Sequence, residues 1–261
     1  MTLARNHARS ALRIGAFVSL TTTMLAVYRT HDRLASEAAR YPLRERYIRR
    51  WSTMLLSLFG IDVTIVGGVP LIPSVEPRGR LLVSNHRSTI DILLLLREFG
   101  GHIVSRDDLA HWPLVGAAAR SVGTVFVERS NATSGVHAIR EMARLLESGR
   151  LVTVFPEGTT FPDDEVRPFH KGAFVAAKMA DVEILPVGIA YEAGETVAFL
   201  EETFAANMAR LAAAPKTRVA LAIGAPLRIS GNAERTARAT RDRVQELVVQ
   251  ARAAVAARAS Q

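Results

Sequence analysis

Leu81-Leu82-Val83-Ser84-Asn85-His86-Arg87-Ser88-Thr89-Ile90-Asp91 is the stretch that decides the fold. A short apolar run ends in Asn85-His86. Polar residues follow, and Ile92 to Leu96 then supply five apolar positions rich in helix-forming leucine. The pattern predicts a buried strand, a sharp turn that carries His86, and a helix that opens at Ser88 or Thr89 with Asp91 in its first turn. A carboxylate five residues after a strand-end histidine can hold one ring nitrogen, so that the other faces outward as a base. An alcohol nucleophile needs such a base, because a free hydroxyl barely ionises at neutral pH. The plainer reading stands beside it: Asp91 serves the helix dipole, and His86 is a satisfied turn residue.

Outward from this stretch, strand and helix signals alternate. Strands are expected at Asp62–Val66, Arg80–Ser84, His102–Ser105, Thr124–Val127, Leu151–Phe155, Glu183–Tyr191 and Arg218–Ile223. Val136, Ile139, Met142, Leu145 and Leu146 form a helical stripe stopped by Gly149. Further helices are expected at Lys171–Ala180, along Leu200, Phe204, Met208 and Leu211, and from Ala233 to Ala257, with a loop at Pro70–Pro77. The fold class is therefore α/β, a mostly parallel sheet flanked by helices. The expected division is 1–60, a basic and apolar N-terminal pair of membrane-associating helices, and 61–261, the α/β domain.

The chain has 261 residues and no cysteine, which excludes disulfides, thiolate nucleophiles and cysteine-ligated metals. Residues 1–50 hold ten arginines against Asp32, Glu37 and Glu45, so +7 of the net +8 lies there. A basic arm of this kind points to nucleic acid or to anionic lipid. Its arginines flank apolar runs rather than interleaving with base-reading groups, which disfavours nucleic acid. Ile14–Tyr28 is apolar, about fifteen residues long, and bounded by Arg5, Arg9, Arg13, Arg29 and Arg33. That is short for a span, and charge at both ends favours a segment that dips into the bilayer or lies in its interface. No small-x-small cleavage site follows, which disfavours a signal peptide. Tyr41-Pro42 is expected to break the chain, and Trp51 then opens a second apolar piece, ending at Phe59, as an interfacial anchor or a core residue. On this reading the arm anchors the protein while the chemistry lies entirely outside it.

Three further strand ends carry unusual polar residues: Glu128-Arg129-Ser130, Pro156-Glu157-Gly158-Thr159-Thr160, and the helix opening at His170-Lys171-Gly172. In open α/β sheets ligands collect beyond the carboxyl ends of strands, so all of these can face one site. Arg129 and Lys171 suit an anionic group such as phosphate. No HExxH pair or acidic cluster has metal-ligand spacing, so no metal is expected. Ser88 lacks the Gly-x-Ser-x-Gly elbow of an acyl-enzyme nucleophile. Backbone N–H groups near the Ser88 helix start are candidates for an oxyanion hole.

Asn85-His86-xxxx-Asp91, Phe126-Val127-Glu128-Arg129, Phe155-Pro156-Glu157-Gly158-Thr159 and Leu185-Pro186-Val187-Gly188-Ile189, in this order, resemble the four blocks of the glycerolipid acyltransferases, and most nearly the lysophosphatidic acid acyltransferases. The resemblance covers roughly Leu81 to Tyr191. It implies His86 as general base and Asp91 as its partner. It places Arg129, Glu157, Gly158 and Thr159 in acceptor binding; Lys171 is expected to bind substrate on its charge and its place at a helix opening alone. It implies a lysophospholipid acceptor (1-acyl-glycerol-3-phosphate giving phosphatidic acid), a donor that is acyl-CoA or acyl-carrier protein as co-substrate, and no other cofactor. Leu185–Ile189 would shape an acyl tunnel. The expected location is the cytoplasmic face of the cell inner membrane, monotopic or peripheral. Two residues depart from the family pattern: Thr160 stands where the third block usually has arginine, and Glu128 where the second usually has aspartate. Acyltransferases of lyso-ornithine lipid share these blocks and are the second candidate. A non-catalytic membrane-binding protein is the third, and it gives no reason for His86, Asp91, Arg129 and Glu157 at strand ends.

Overall fold

A computed structural model describes residues 2–68, 79–112, 114–128, 132–199 and 202–259. The expected loop at Pro70–Pro77, and with it Arg129 and Leu200, lies outside the described residues. The chain begins with two long helices, α1 (Thr2–Leu34) and α2 (Glu37–Leu58). Next come β1 (Ile61–Gly67), β2 (Arg80–Ser84), α3 (Thr89–Glu98) and β3 (His102–Arg106). After a 3-10 turn at Asp107–His111 the chain continues through α4 (Val115–Ser121), β4 (Val125–Val127), α5 (Ala132–Glu147) and β5 (Leu151–Val154). It ends with α6 (Gly172–Ala180), β6 (Glu183–Tyr191), α7 (Gly194–Val197), α8 (Phe204–Ala213), β7 (Thr217–Ile223) and α9 (Ala233–Ala259).

These strands form one sheet in the order β1-β7-β6-β2-β5-β3-β4. Every neighbouring pair is parallel except β6–β7, so the sheet is mostly parallel, as its βα alternation predicts. β2 lies near the centre, between β5 and β6, and its side chains alternate between two cores. Leu81 and Val83 face α5, α6 and α9, while Leu82 faces Leu94, Leu95 and Phe99 of the α3 region. All three strand residues are fully buried. Gly188, in the middle of β6, lets α9 approach closely: a Cβ there would sit 2.4 Å from the backbone at Leu247 and Val248.

The N-terminal helices differ from the sequence expectation. α1 runs for 33 residues, and Arg5–Leu34 is long and apolar enough to cross a membrane by length and composition, with mean hydropathy 1.4. Pro42 does not break the chain but sits inside α2. Its missing N–H orphans only a carbonyl of the exposed first turn, which water can satisfy. Trp51 is not an outward anchor. Its indole N–H donates to Thr21 Oγ1 at 3.1 Å, and its ring packs beside Leu55, Phe17 and Phe59.

Nor do all the arginines form a free basic arm. Arg9 and Arg13 donate to the carbonyls of Ala213 (2.7 Å) and Ala212 (3.3 Å), at the C-terminus of α8. Arg49 donates to Arg97, Glu98 and Phe99 at the C-terminus of α3, at 3.0, 2.6 and 2.7 Å. Cations at helix C-termini satisfy orphan carbonyls and oppose the dipole. The helices expected to be an appendage are thus fastened to the body by its own helix caps. Removal of residues 1–50 is therefore expected to lower the melting temperature by roughly 10 °C or more, given the burial and caps lost. Activity should fall on water-soluble acceptors as well as on bilayer ones. A truncated chain with the parent's melting curve and full activity on a soluble acceptor would contradict this.

Candidate active site

The site grows from the N-terminus of α3. Ser88 is its N-cap, and Ser88 Oγ accepts from the Ile90 backbone N–H at 3.3 Å. Asp91 closes the capping box by accepting from the Ser88 N–H at 2.8 Å. The same oxygen, Oδ2, accepts from the Arg87 N–H (2.6 Å) and from His86 Nδ1 (2.9 Å). The other oxygen, Oδ1, accepts from the Tyr191 hydroxyl at 2.5 Å. Asp91 is fully buried, and these donors are what make a buried carboxylate tolerable as an anion. The two readings of Asp91, cap and histidine partner, are both realised by one carboxylate.

His86 is held on every side but one. Its Nδ1 faces Asp91, and its ring stacks on Phe155 with centroids 4.0 Å apart and planes 16° from parallel. Its backbone N–H donates to Glu157 Oε2 at 2.7 Å, and its carbonyl accepts from the Phe161 N–H at 3.1 Å. Its side chain keeps 18% exposure. Asn85 anchors the turn from the other side: its amide donates to the Ile189 carbonyl (3.0 Å) and accepts from the Ile189 N–H (2.8 Å), as a strand partner would. Arg87 points back into the protein, where it pairs with Asp164 and donates to the Pro162 carbonyl. Arg252 of α9 also pairs with Asp164, at 2.5 Å.

The other expected site residues differ in burial and in their partners. Glu157 lies buried beneath the His86 turn, where it accepts from the backbone N–H groups of His86 and of Arg167 (2.9 Å). Gly158 supplies the turn that lets it do so, at φ 83°. Thr159 is exposed, and Thr160 donates to the Phe199 carbonyl. Lys171 is exposed at the N-cap of α6, and no contact brings it to His86 or Asp91. Arg129 lies outside the described residues. The Arg87 and Ser88 N–H groups are committed to Asp91, so they do not form an oxyanion hole. Ser88 is fully buried, which removes it as a nucleophile.

An apolar cavity of about 160 Å³ lies between the N-terminal helices and the body. Phe17, Met24 and Trp51 line one side; Leu93, Leu96 and Met208 line another. Thr89 and Ile90, only three and four residues beyond His86, also form part of its wall. Arg44 lines it too, but its donors are occupied by the carbonyls of Gly101 (2.9 Å) and Val122 and by Glu45. Leu185, Val187 and Ile189 do not line this cavity: they sit in the core of β6. Sequence reasoning also missed Tyr191. Its one signal is a phenol that ends an otherwise apolar buried strand.

Burial raises the Glu157 carboxyl to about 7, opposed by the two backbone N–H donors. A folded-state value above the unfolded 4.5 means that Glu157 contributes stability below about pH 4.5 that is lost as pH rises through 7. The parent is therefore expected to lose on the order of 1–3 kcal/mol between pH 4.5 and 8 from this group. In Glu157→Gln that slope should flatten. Urea denaturation of both proteins across this range checks it, and parallel slopes would refute it.

The family model described as Acyltransferase matches residues 72–190. The chain is 34% identical to the lyso-ornithine lipid O-acyltransferase of Pseudomonas aeruginosa over 183 residues, which are 70% of this chain and 67% of that protein. It is 36% identical to the protein of the same name from Brucella abortus, over 51% of each chain. It is 34% identical to the 1-acyl-sn-glycerol-3-phosphate acyltransferase alpha of Ovis aries, over 50% of this chain and 45% of that one. The chain thus spans two thirds of the first of these relatives and about half of the other two. The crystal structure of the 1-acyl-sn-glycerophosphate acyltransferase from Thermotoga maritima superposes with a TM-score of 0.71 at 24% identity, covering 96% of this chain and 97% of that one, and so shares its fold. With the histidine–aspartate pair built on the first matching block, the chain belongs to the acyltransferase family and is an acyltransferase enzyme.

Proposed function

We propose that this enzyme moves a fatty acyl group from a thioester donor, acyl-CoA or acyl-carrier protein, to the hydroxyl of a membrane lysolipid, with His86 as general base. The observation that carries this is the His86–Asp91 pair at the start of α3, a helix whose first residues, Thr89 and Ile90, line an apolar cavity. Nδ1–H donates to Asp91, which leaves Nε2 of a partly exposed ring as the basic nitrogen. The acceptor hydroxyl gives its proton to Nε2 as its oxygen attacks the thioester carbonyl. The tetrahedral intermediate collapses, the C–S bond breaks, and the departing thiolate takes the proton back from the imidazolium. Asp91 stabilises that imidazolium throughout. The cavity suits a fatty chain, because its wall is almost wholly apolar and its one guanidinium is engaged by backbone carbonyls and Glu45.

The acceptor we favour is lyso-ornithine lipid, with 1-acyl-glycerol-3-phosphate as the second reading. Thr160 puts an uncharged side chain, already donating to the Phe199 carbonyl, where the third block usually has arginine, and one cation fewer suits a headgroup without phosphate. The name of the Pseudomonas relative supports the same choice. The second reading draws on the sheep relative's name. The enzyme works at the membrane. α1 leaves Leu12, Val18, Val27 and Leu34 exposed (75, 47, 41 and 81%), with the exposed arginines Arg5 and Arg33 near its ends, a composition suited to an anionic bilayer surface. Since both donor classes are cytoplasmic thioesters, that surface is assigned to the cytoplasmic face of the inner membrane.

His86→Ala is expected to lower transfer by about 10²–10⁴-fold with an unchanged melting curve. Asp91→Asn should also lower transfer severely, because a carboxamide carries no charge to stabilise the imidazolium and offers one acceptor oxygen in place of two to the four donors around it. Purified protein, given acyl-CoA or acyl-carrier protein with a panel of lysolipids, should transfer to lyso-ornithine lipid first. Full activity in folded His86→Ala would end the base assignment, and transfer to 1-acyl-glycerol-3-phosphate alone would reverse the order of acceptors.

A further inference from the structure

We propose that Tyr191 is a positioning residue for the transfer reaction, acting through Asp91 on His86; the inference rests on the roles proposed above for that pair. Tyr191 ends β6, one hundred residues from Asp91 in the chain, and is fully buried. Its hydroxyl is the donor to Asp91 Oδ1 among the described residues, while Oδ2 serves His86, Arg87 and Ser88. Its backbone is clamped from both sides. Pairing with Val219 of β7 fixes its register, and Arg252 of α9 donates to its carbonyl at 2.5 Å. The ring position is therefore set by strand and helix packing, and the carboxylate plane of Asp91 is set by the ring.

The hydroxyl does two things to the pair. It keeps the carboxylate from rotating, so that Oδ2 stays aimed at Nδ1. It also draws charge from the carboxylate, which weakens Asp91's hold on a protonated imidazole. Burial first, and the Asp91 charge second, hold the phenol well above its ordinary value, so it is a neutral donor at any working pH. The other charged groups around Asp91 are Arg87 of the same turn and Glu157 of the loop after β5, with Arg252 and Asp164 behind Arg87. None of these donates to Oδ1.

The test is the pH–rate profile of the full-length enzyme. Tyr191→Phe keeps the ring and removes the donor. Its kcat should fall about 10-fold, as expected for a hydrogen bond to a charged group, while KM for the acceptor stays within about twofold. The acid limb of kcat should move up by about half a pH unit, because an Asp91 with fewer donors favours the protonated imidazole. Site-specific 3-fluorotyrosine at 191 keeps the bond and strengthens the donor, so its limb should move down. Opposite shifts in the two variants support the proposal. Unmoved limbs in both overturn it, whatever happens to kcat, because a merely structural tyrosine does not move them. Should Tyr191→Phe fail to fold, the fluorotyrosine limb decides alone: down supports, unmoved overturns. An active His86→Ala enzyme would instead bring down the base assignment itself, and that result is separate from either limb.

Discussion

The structure depends on one buried anion. The Asp91 carboxylate is out of water, and a charge there is tolerated only when its lone pairs are filled by donors. Four donors meet it, from a helix cap, a turn, an imidazole and a distant strand. Each donor fixes the segment that carries it. The cap starts α3 at Ser88, the Arg87 N–H fixes the turn, Nδ1 fixes the imidazole, and Tyr191 ties the end of β6 to the start of α3. Because β2 pairs with both β5 and β6, the turn that follows it is flanked by the loops leaving its neighbours. Asn85 binds it to β6 and Glu157 to the loop after β5.

This explains why so much of the fold and of the His86–Asp91 pair was legible in the sequence. β2 and α3 are local, and their apolar periods and capping residues are contiguous. The two competing readings of Asp91 turned out to be one physical arrangement, since a capping-box aspartate after a strand-end histidine necessarily lies near that histidine. The N-terminal arginines were harder. A net charge counts guanidinium groups but says nothing about where their N–H donors go, and Arg9, Arg13, Arg44 and Arg49 spend theirs on backbone carbonyls of the body. Pro42 was misread for a similar reason: the cost of a helical proline depends on whether the orphaned carbonyl is wet, and that depends on tertiary exposure.

What sequence alone did not reveal is long-range. Glu157, expected in acceptor binding, accepts from the backbone N–H of His86, seventy-one residues away. Tyr191 reaches Asp91 across one hundred residues, and Arg87 shares Asp164 with Arg252 of the last helix. No local pattern encodes such pairings, because they arise only when the parallel sheet brings strand ends together. The stretches around His86 and Glu157 are far apart in the chain for the same reason: each follows a strand, β2 or β5, and the sheet brings them together.

The position of the cavity bears on why such an enzyme transfers rather than hydrolyses. A general base that can activate a lipid hydroxyl can also activate water, and water is far more concentrated. The imidazole here is stacked on Phe155 and is only 18% exposed, and the first residues of α3, just beyond it in the chain, form part of the wall of an apolar cavity. On the function proposed above, a fatty chain filling that cavity would exclude water from the start of α3, the helix whose first turn holds the partner of the proposed base. α1 and α2 complete this arrangement in a single step, since their inner faces build the cavity and the outer face of α1 is suited to the membrane. On the function proposed above, their attachment to the helix ends of the body would couple the site of lipid supply to the site of chemistry, and a freely hinged anchor of the same composition would not.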